Sequence, residues 1–339
     1  MAGHDIIVVG ASAGGVEALQ MLVAGLPADL PAAVFVVLHM SAGAPSLLPR
    51  ILDRAGPLSA AAAVDNAPIM PGHIYVSVPD HHLLIERGRV CLVRGPKENR
   101  ARPAVDPLFR SAARDYGPRV IGVVLTGALD DGTSGLQAIK ARGGLAVVQD
   151  PAEALYSGMP HSAKENVAVD YCMPLAEIPA LLARLAAEPA PDESVYPVPP
   201  NLDLEVRIAE LDMEPLNNGE VPGTPSVFAC PECHGTLWEI QDGKLLRFRC
   251  RVGHAYSAES MLAEHDDALE TALWSALRAL EESIALAKRM AASARERNHP
   301  LLMTRYEQKA RAQEQHARLL REMLDGSRQI NKDHKDQTA

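Results

Sequence analysis

The sequence predicts an α/β fold: a mostly parallel, doubly wound sheet with helices on both faces and β-hairpin additions, followed by two smaller C-terminal parts. Three observations point there. Short runs that are apolar at every residue alternate with segments of helical period over the first half of the chain. A proline-rich, acidic stretch then interrupts the alternation. Beyond it come a compact cysteine-containing segment and a long region of helical period.

Ile6–Gly10 reads as the first buried strand, and Gly15–Gly25 as a helix with Val16, Leu19 and Leu22 at helical spacing. Val34–Leu38 is a second strand that ends at His39. Further apolar runs recur at Val120–Leu125 and Leu145–Val148, with helix patterns at Leu108–Tyr116 and Gly135–Arg142. Strands without polar alternation are covered on both faces, which indicates a parallel sheet in a β-α alternating chain. Between His73 and Val93 the runs HIYVSV and HLLIERGRVCLV read as antiparallel hairpins on one edge. Leu175–Ala187 closes a first domain, residues 1–188, as a helix.

Composition bounds the function. With 339 residues the chain is long enough for about two domains, and 47% hydrophobic residues suffice for a buried core. A net charge of −10 argues against a general nucleic-acid binder, which needs clustered Lys and Arg to neutralise phosphates. The first residues lack the basic region of a secretory signal, and no run approaches the roughly 18 apolar residues of a membrane span. A cytoplasmic protein without membrane insertion is expected. Of the five cysteines, Cys91 and Cys172 sit in strand-like apolar runs and are read as core residues.

Prolines and acids dominate residues 189–226, which predicts an extended, self-repelling linker. Residues 227–257 contain Cys230-x-x-Cys233 and Cys250-x-x-x-His254. Three thiols and an imidazole suit a closed, tetrahedral, structural zinc site in a zinc-ribbon-like unit. Trp238, Leu245, Leu246 and Phe248 would supply a small apolar layer that needs metal to fold. The alternative is four residues of a small hairpin without metal. His234 adjoins Cys233 and is left out, because adjacent side chains rarely converge on one ion. Over residues 258–325, Leu262, Leu269, Leu273, Leu277, Leu280 and Ile284 form one apolar stripe. Asn298-His299-Pro300 breaks the pattern, so a helical hairpin is expected, with a polar tail at 326–339.

Gly10-Ala11-Ser12-Ala13-Gly14-Gly15 follows a strand and opens a helix. A dinucleotide fingerprint would want glycine where Ser12 stands, and an acid where His39 ends the second strand. A nucleophile elbow wants a serine flanked by small residues, with its hydroxyl near a helix N-terminus. Parallel strands bring their C-terminal ends to one edge, so His39 arrives beside Ser12 as a base. The strand Val120–Leu125 delivers Thr126-Gly127-Ala128-Leu129-Asp130-Asp131-Gly132 to the same edge. One of its two acids would orient the histidine, and the other would cap a helix.

These residues resemble the chemotaxis protein-glutamate methylesterases of the CheB type. The resemblance spans about Ile6 to Leu185 and rests on VVGASAGGVEAL, LHM, MPGHIYV, the segment from Gly95-Pro96 through Asn99 to Asp106, LTGALDDG and SGMP. The order Ser, His, Asp matches this family, whereas ordinary α/β-hydrolases place the acid before the histidine. The same register makes Asp131, directly before Gly132, the triad acid in preference to Asp130. The resemblance implies hydrolysis of glutamate γ-methyl esters on the cytoplasmic helices of chemoreceptors, with glutamine deamidation in some members and no cofactor for catalysis. The backbone N–H groups of Ala13 and Ala128 would serve the oxyanion. Arg102 is grouped with them as a substrate-loop residue, while Arg100 and Asp106 are read as holding that loop. Two departures stand out. Gly127-Ala128-Leu129 replaces the family's Gly-Met-Gly, and a protein without the usual phospho-receiver domain is expected, with control through the C-terminal region or a separate regulatory protein. The competing readings are a serine esterase or amidase with another substrate, and a non-catalytic signalling adaptor working through the C-terminal region.

Overall fold

The computed structural model describes residues 3–43 and 45–337, with side chains through residue 325. In chain order the first elements are β1 (Ile6–Ala11), α1 (Gly15–Ala24), β2 (Ala33–Leu38), α2 (Leu48–Ala55), β3 (Ser59–Ala62) and β4 (His73–Val76). Then come β5 (His82–Glu86), β6 (Arg89–Val93), α3 (Val105–Tyr116), β7 (Val120–Val124) and α4 (Thr133–Ala141). The set closes with β8 (Leu145–Gln149), α5 (Gly158–Asn166), β9 (Tyr171–Met173) and α6 (Ile178–Ala186). Seven of these strands form one sheet in the order β3-β4-β2-β1-β7-β8-β9, and every pairing in it is parallel.

The apolar runs are continuous because both faces of this sheet are covered. Ile6 and Val8 of β1 join a layer with Leu108 and Phe109 of α3, Leu136 of α4 and Met159 of α5. Ile7 and Val9 join the opposite layer with Leu19 and Leu22 of α1, Leu52 of α2 and Leu182 of α6. Each such side chain contributes on the order of 1.5–3 kcal/mol by leaving water. Gly10 admits the start of α3: a Cβ there would lie 2.3 Å from a Val105 methyl.

Several sequence expectations are corrected. His73–Val76 is a parallel strand inside the sheet and not part of an edge hairpin. Only β5 and β6 pair as a hairpin, and Leu83, Leu84, Ile85 and Val90 pack with α3 beneath the sheet. A short apolar run does not distinguish a buried parallel strand from a hairpin arm. Cys172 is exposed, because β9 is the last strand of the sheet, whereas Cys91 is half-buried and packs against the core as expected.

The stretch expected to be an extended linker carries α7 (Pro200–Ala209) and α8 (Glu214–Asn217). Leu202, Val206 and Ala209 belong to the same apolar layer as Phe109. The acids that predicted self-repulsion have partners elsewhere in the chain. Glu193 meets Arg87 at 2.6 Å and Arg142 at 3.1 Å, Glu210 meets Arg114 at 2.6 Å, and Glu205 receives both terminal nitrogens of Arg247 at 2.8 Å. Charge counted along one segment misses arginines that fold brings to it.

An antiparallel sheet follows, in the order β10 (Thr224–Ala229), β11 (Thr236–Asp242), β12 (Leu245–Cys250) and β13 (Ala255–Ser257). Its core holds Leu237, Leu246, Phe248, Tyr256 and Met261 beside the cysteines; Trp238 and Leu245 are not part of that cluster. Two compact units result, Met1–Met261 and Leu262–Ala339, so the cysteine sheet belongs to the unit of the large sheet. Helices α9 (Ala258–Glu296) and α10 (Pro300–Gln337) follow. Within the second unit, Leu273, Leu277, Leu280 and Ile284 meet Ala317, Leu320 and Leu324. Leu262 and Leu269 of the expected stripe are exposed. Helix α10 runs through most of the expected polar tail, whose last two residues lie outside the described ones. Among the described residues no helix is long and apolar enough to cross a membrane.

Candidate active site

Strand β1 lies between β2 and β7, so the chain departs from it in both directions along the sheet, and the C-terminal ends of the three strands form one crevice. Backbone hydrogen bonds knit these ends together. The N–H of His39 reaches the Ala11 carbonyl at 3.3 Å, and the N–H of Ser12 reaches the Thr126 carbonyl at 3.0 Å. Ser12 enters a turn into α1 that needs Gly14, whose φ is +71°. His39 then lies between the other two residues: its Nδ1 is 3.0 Å from Ser12 Oγ, and its Nε2 is 2.6 Å from Asp131 Oδ2. The ring nitrogens are thus used in the reverse sense from the familiar serine-protease array.

The surroundings of Asp131 fix the tautomer. Asp131 is 2% exposed. Its Oδ2 also accepts the N–H of Val105 at 2.6 Å, and Oδ1 accepts from Asn99 Nδ2 at 2.8 Å and the N–H groups of Gly132 at 3.0 Å and Asp106 at 3.2 Å. Burial opposes its charge, yet His39, the Val105 N–H and the Asn99 amide outweigh burial and hold this carboxyl below its ordinary range. An ionised carboxylate only accepts, so Nε2 carries the proton. Nδ1 then offers its lone pair to the Ser12 hydroxyl. That is the arrangement of a general base beside a nucleophile.

A cleft of about 620 Å³ opens over Ser12 and His39, with Lys97, Arg100 and Arg102 among its lining residues. Ala128 lines it too, and among the described residues no protein acceptor takes the N–H of Ala13 or Ala128. Arg102 is held in the wall by Asp80, 2.9 Å from its Nε, and by the Gly95 carbonyl. Leu129 adopts φ +58°, the left-handed conformation that glycine takes without strain. The loop therefore keeps a glycine-like backbone although the side chain has changed.

Asp130 points away from His39. It accepts the Ser257 hydroxyl at 2.6 Å and caps no helix, whereas Asp131 takes the first two N–H groups of α3, those of Val105 and Asp106, as well as orienting His39. Asp106 supports the loop: it accepts Asn99 Nδ2 at 2.9 Å and the N–H of Gly135 at 2.7 Å. Burial first, and the charge of Asp131 second, push the Asp106 carboxyl upward. Burial, opposed by the Ser257 bond and reinforced by Glu259, Asp106 and Asp131, raises the Asp130 carboxyl from 3.8 to about 7. The unfolded chain ionises Asp130 near 4, so from there to about pH 7 the native state holds the extra proton and stability falls as pH rises. Asp130→Asn is therefore expected to raise stability over wild type by on the order of 3 kcal/mol at pH 8 and by little at pH 4, as read by denaturant unfolding at both pH values.

Comparison with known proteins now decides the family. Residues 7–182 match the family model for the CheB methylesterase. The chain belongs to the CheB methylesterase family. A Leptospira interrogans protein, provisionally named a protein-glutamate methylesterase/protein-glutamine glutaminase, is 39% identical over 183 residues, 54% of this chain and 95% of that protein. A Ralstonia nicotianae protein named protein-glutamate methylesterase/protein-glutamine glutaminase is 39% identical over 189 residues, which are 54% of this chain and 49% of its own length. With this and similar relatives, the chain spans about half their length. The crystal structure of the Thermotoga maritima CheB methylesterase catalytic domain superposes with a TM-score of 0.52 and 36% identity, over 55% of this chain and all of that one.

Beyond the CheB segment, Cys230, Cys233, Cys250 and His254 offer ligand atoms that all lie within 4.8 Å of one another. Two groups of residues around the CheB site were not singled out from sequence. The first is Asn99, which contacts both Asp106 and Asp131. The second is a buried ionic network: Arg249 joins Glu98 and Glu205 at 3.0 Å each, Arg247 joins Glu205, and Arg110 joins Glu98. It ties α3, α7 and β12 to the loop before α3. Removing one partner would leave an uncompensated buried charge, a loss of about 3–5 kcal/mol. The only signal in the sequence was the placement of arginines at alternate positions 247 and 249 of a strand.

Proposed function

We propose that this chain is a protein-glutamate methylesterase that removes γ-methyl esters from glutamate on the cytoplasmic helices of chemoreceptors or similar receptor proteins. The observation that carries the reading is the hydrogen-bonded array Ser12–His39–Asp131 at the floor of an open cleft. Ser12 Oγ attacks the ester carbonyl while His39 Nδ1 takes its proton, and Asp131 stabilises the imidazolium that forms. The N–H groups of Ala13 and Ala128 receive the oxyanion. His39 returns the proton to the departing methoxide, methanol leaves, and a glutamyl ester on Ser12 remains. Water then attacks that ester with His39 again as base, which releases the glutamate carboxylate and free Ser12. Deamidation of glutamine follows the same course with ammonia as leaving group, in keeping with the double names of the relatives. The reaction would take place in the cytoplasm, where receptor signalling helices lie. Incubation with a methyl-labelled receptor is expected to release labelled methanol, and an absence of release from folded protein contradicts the reading.

The cysteine cluster is assigned to structural zinc. Ligands at about 2.3 Å for sulfur and 2.0–2.1 Å for nitrogen in a tetrahedron stand about 3.8 Å apart for sulfur pairs and about 3.6 Å for sulfur–nitrogen pairs. Cys233 and Cys250 Sγ are 3.6 Å apart, and His254 Nδ1 lies 3.7 Å from Cys230 Sγ and 3.5 Å from Cys250 Sγ. With four protein ligands the metal has no open position, so it shapes the sheet and takes no part in hydrolysis. Metal analysis of purified protein is expected to give one zinc per chain, lost in Cys250→Ser; a folded protein free of metal contradicts this.

A further inference from the structure

Asn99 joins the seven-stranded sheet to the cysteine sheet within the first unit. It is 8% exposed, and each polar atom of its amide is engaged twice. Nδ2 donates to Asp131 Oδ1 at 2.8 Å and to Asp106 Oδ2 at 2.9 Å. Oδ1 accepts the N–H of Ser257 at 3.0 Å and the hydroxyl of Ser260 at 3.2 Å. Carboxylates on one side and an N–H donor on the other leave this amide one orientation. The backbone follows suit. The N–H of Asn99 donates to the Ala255 carbonyl at 2.8 Å, and the N–H of Ala255 donates to the Lys97 carbonyl at 3.3 Å. The segment 97–99 thus lies along β13 like an added strand of the cysteine sheet, directly after ligand His254.

We propose that Asn99 is a positioning residue for Asp131, and that the Cys3His sheet sets it through β13. The claim rests on the methylesterase reading of the site. Asp131 is buried and takes five N–H donors; Asn99 supplies the only side-chain amide among them. Loss of that donor weakens the hold on Oδ1 and lets the carboxylate turn from His39 Nε2. The imidazolium formed on attack is then less well stabilised, so the effect falls on kcat. Asn99 lines the cleft, but both of its amide hydrogens are spent on carboxylates and none is left to donate to substrate, so KM is expected to stay near its wild-type value. A cluster built around Cys230, Cys233, Cys250 and His254 thereby completes an active site to which it contributes no reacting atom.

The test uses the full chain, a methyl-labelled receptor, and the low-field proton resonance of His39 Nε2–H as a readout independent of substrate. Asn99→Ala is expected to lower kcat about 10- to 100-fold with KM unchanged and to move the resonance upfield. Ser257→Pro deletes the N–H that Asn99 Oδ1 accepts together with the hydroxyl held by Asp130 and is expected to lower kcat about 5- to 10-fold, whereas Ser257→Ala deletes the hydroxyl alone and is expected to cost clearly less; equal losses in the two would overturn the proposal. Stripping metal with a chelator is expected to shift the same resonance and lower kcat, and added zinc to restore both. Wild-type kcat and resonance in Asn99→Ala, or in the stripped protein, would overturn the proposal, as would a loss of Tm with neither readout changed. Wild type that releases no methanol contradicts the methylesterase reading instead, while the resonance still reports on Asn99.

Discussion

Ser12→Ala is expected to lower kcat for methanol release by roughly a million-fold, the scale seen when a triad nucleophile is deleted. Ser12 Oγ is the hydroxyl that His39 Nδ1 faces at 3.0 Å, and no other side chain takes that place. Without it, water must attack the ester with only the oxyanion donors and the histidine to help, which leaves a residual rate above that in plain water. Stability should hold, because Ser12 keeps its backbone bond to Thr126 and the hydroxyl fills no apolar layer. Single-turnover release of labelled methanol by wild type and Ser12→Ala measures the difference, and equal release refutes the role of Ser12.

Asp131→Asn is expected to lower kcat about 10⁴-fold, with Asp130→Asn close to wild type. Both oxygens of Asp131 face only N–H donors. An asparagine amide group therefore meets donors whichever way it turns. When its NH₂ faces His39, the ring must move its proton from Nε2 to Nδ1, and Nδ1 can no longer accept from Ser12. The chemistry fails through the wrong tautomer. Asp130 is spared because its carboxyl is occupied by Ser257, away from the ring. Comparable losses in the two variants would contradict this division.

The centre of the large sheet was legible because β1, β2 and β7 carry no polar residue and are buried at every position, which coverage of both faces explains, whereas the edge strands β3 and β9 are mostly exposed or half-buried and carry a weaker signal. For Ser12, His39 and the pair Asp130-Asp131, what could be read was their place at strand ends, and parallel strands send those ends to one edge. The Cys3His cluster was legible from spacing alone. Long-range pairing was not. Glu193, Glu205 and Glu210 read as mutually repelling acids, since nothing local announces Arg142, Arg247 or Arg114 as partners. Leu202 and Val206 read as part of a linker because prolines surround them, although Pro200 starts a helix at the one position where its missing N–H is harmless. Asn99 carries no local signal, since its meaning lies in contacts with residues 32 and 158 positions away.

The central claim is that Ser12 is the nucleophile of an esterase, and covalent labelling tests it most directly. A fluorophosphonate reacts with a serine only where a base and oxyanion donors activate it. Treatment of the full chain should attach one phosphonyl group, located by peptide mass spectrometry at Ser12, with methanol release lost in proportion to labelling. An unlabelled Ser12 in protein that releases methanol, or a fully labelled protein that still does, would contradict the account.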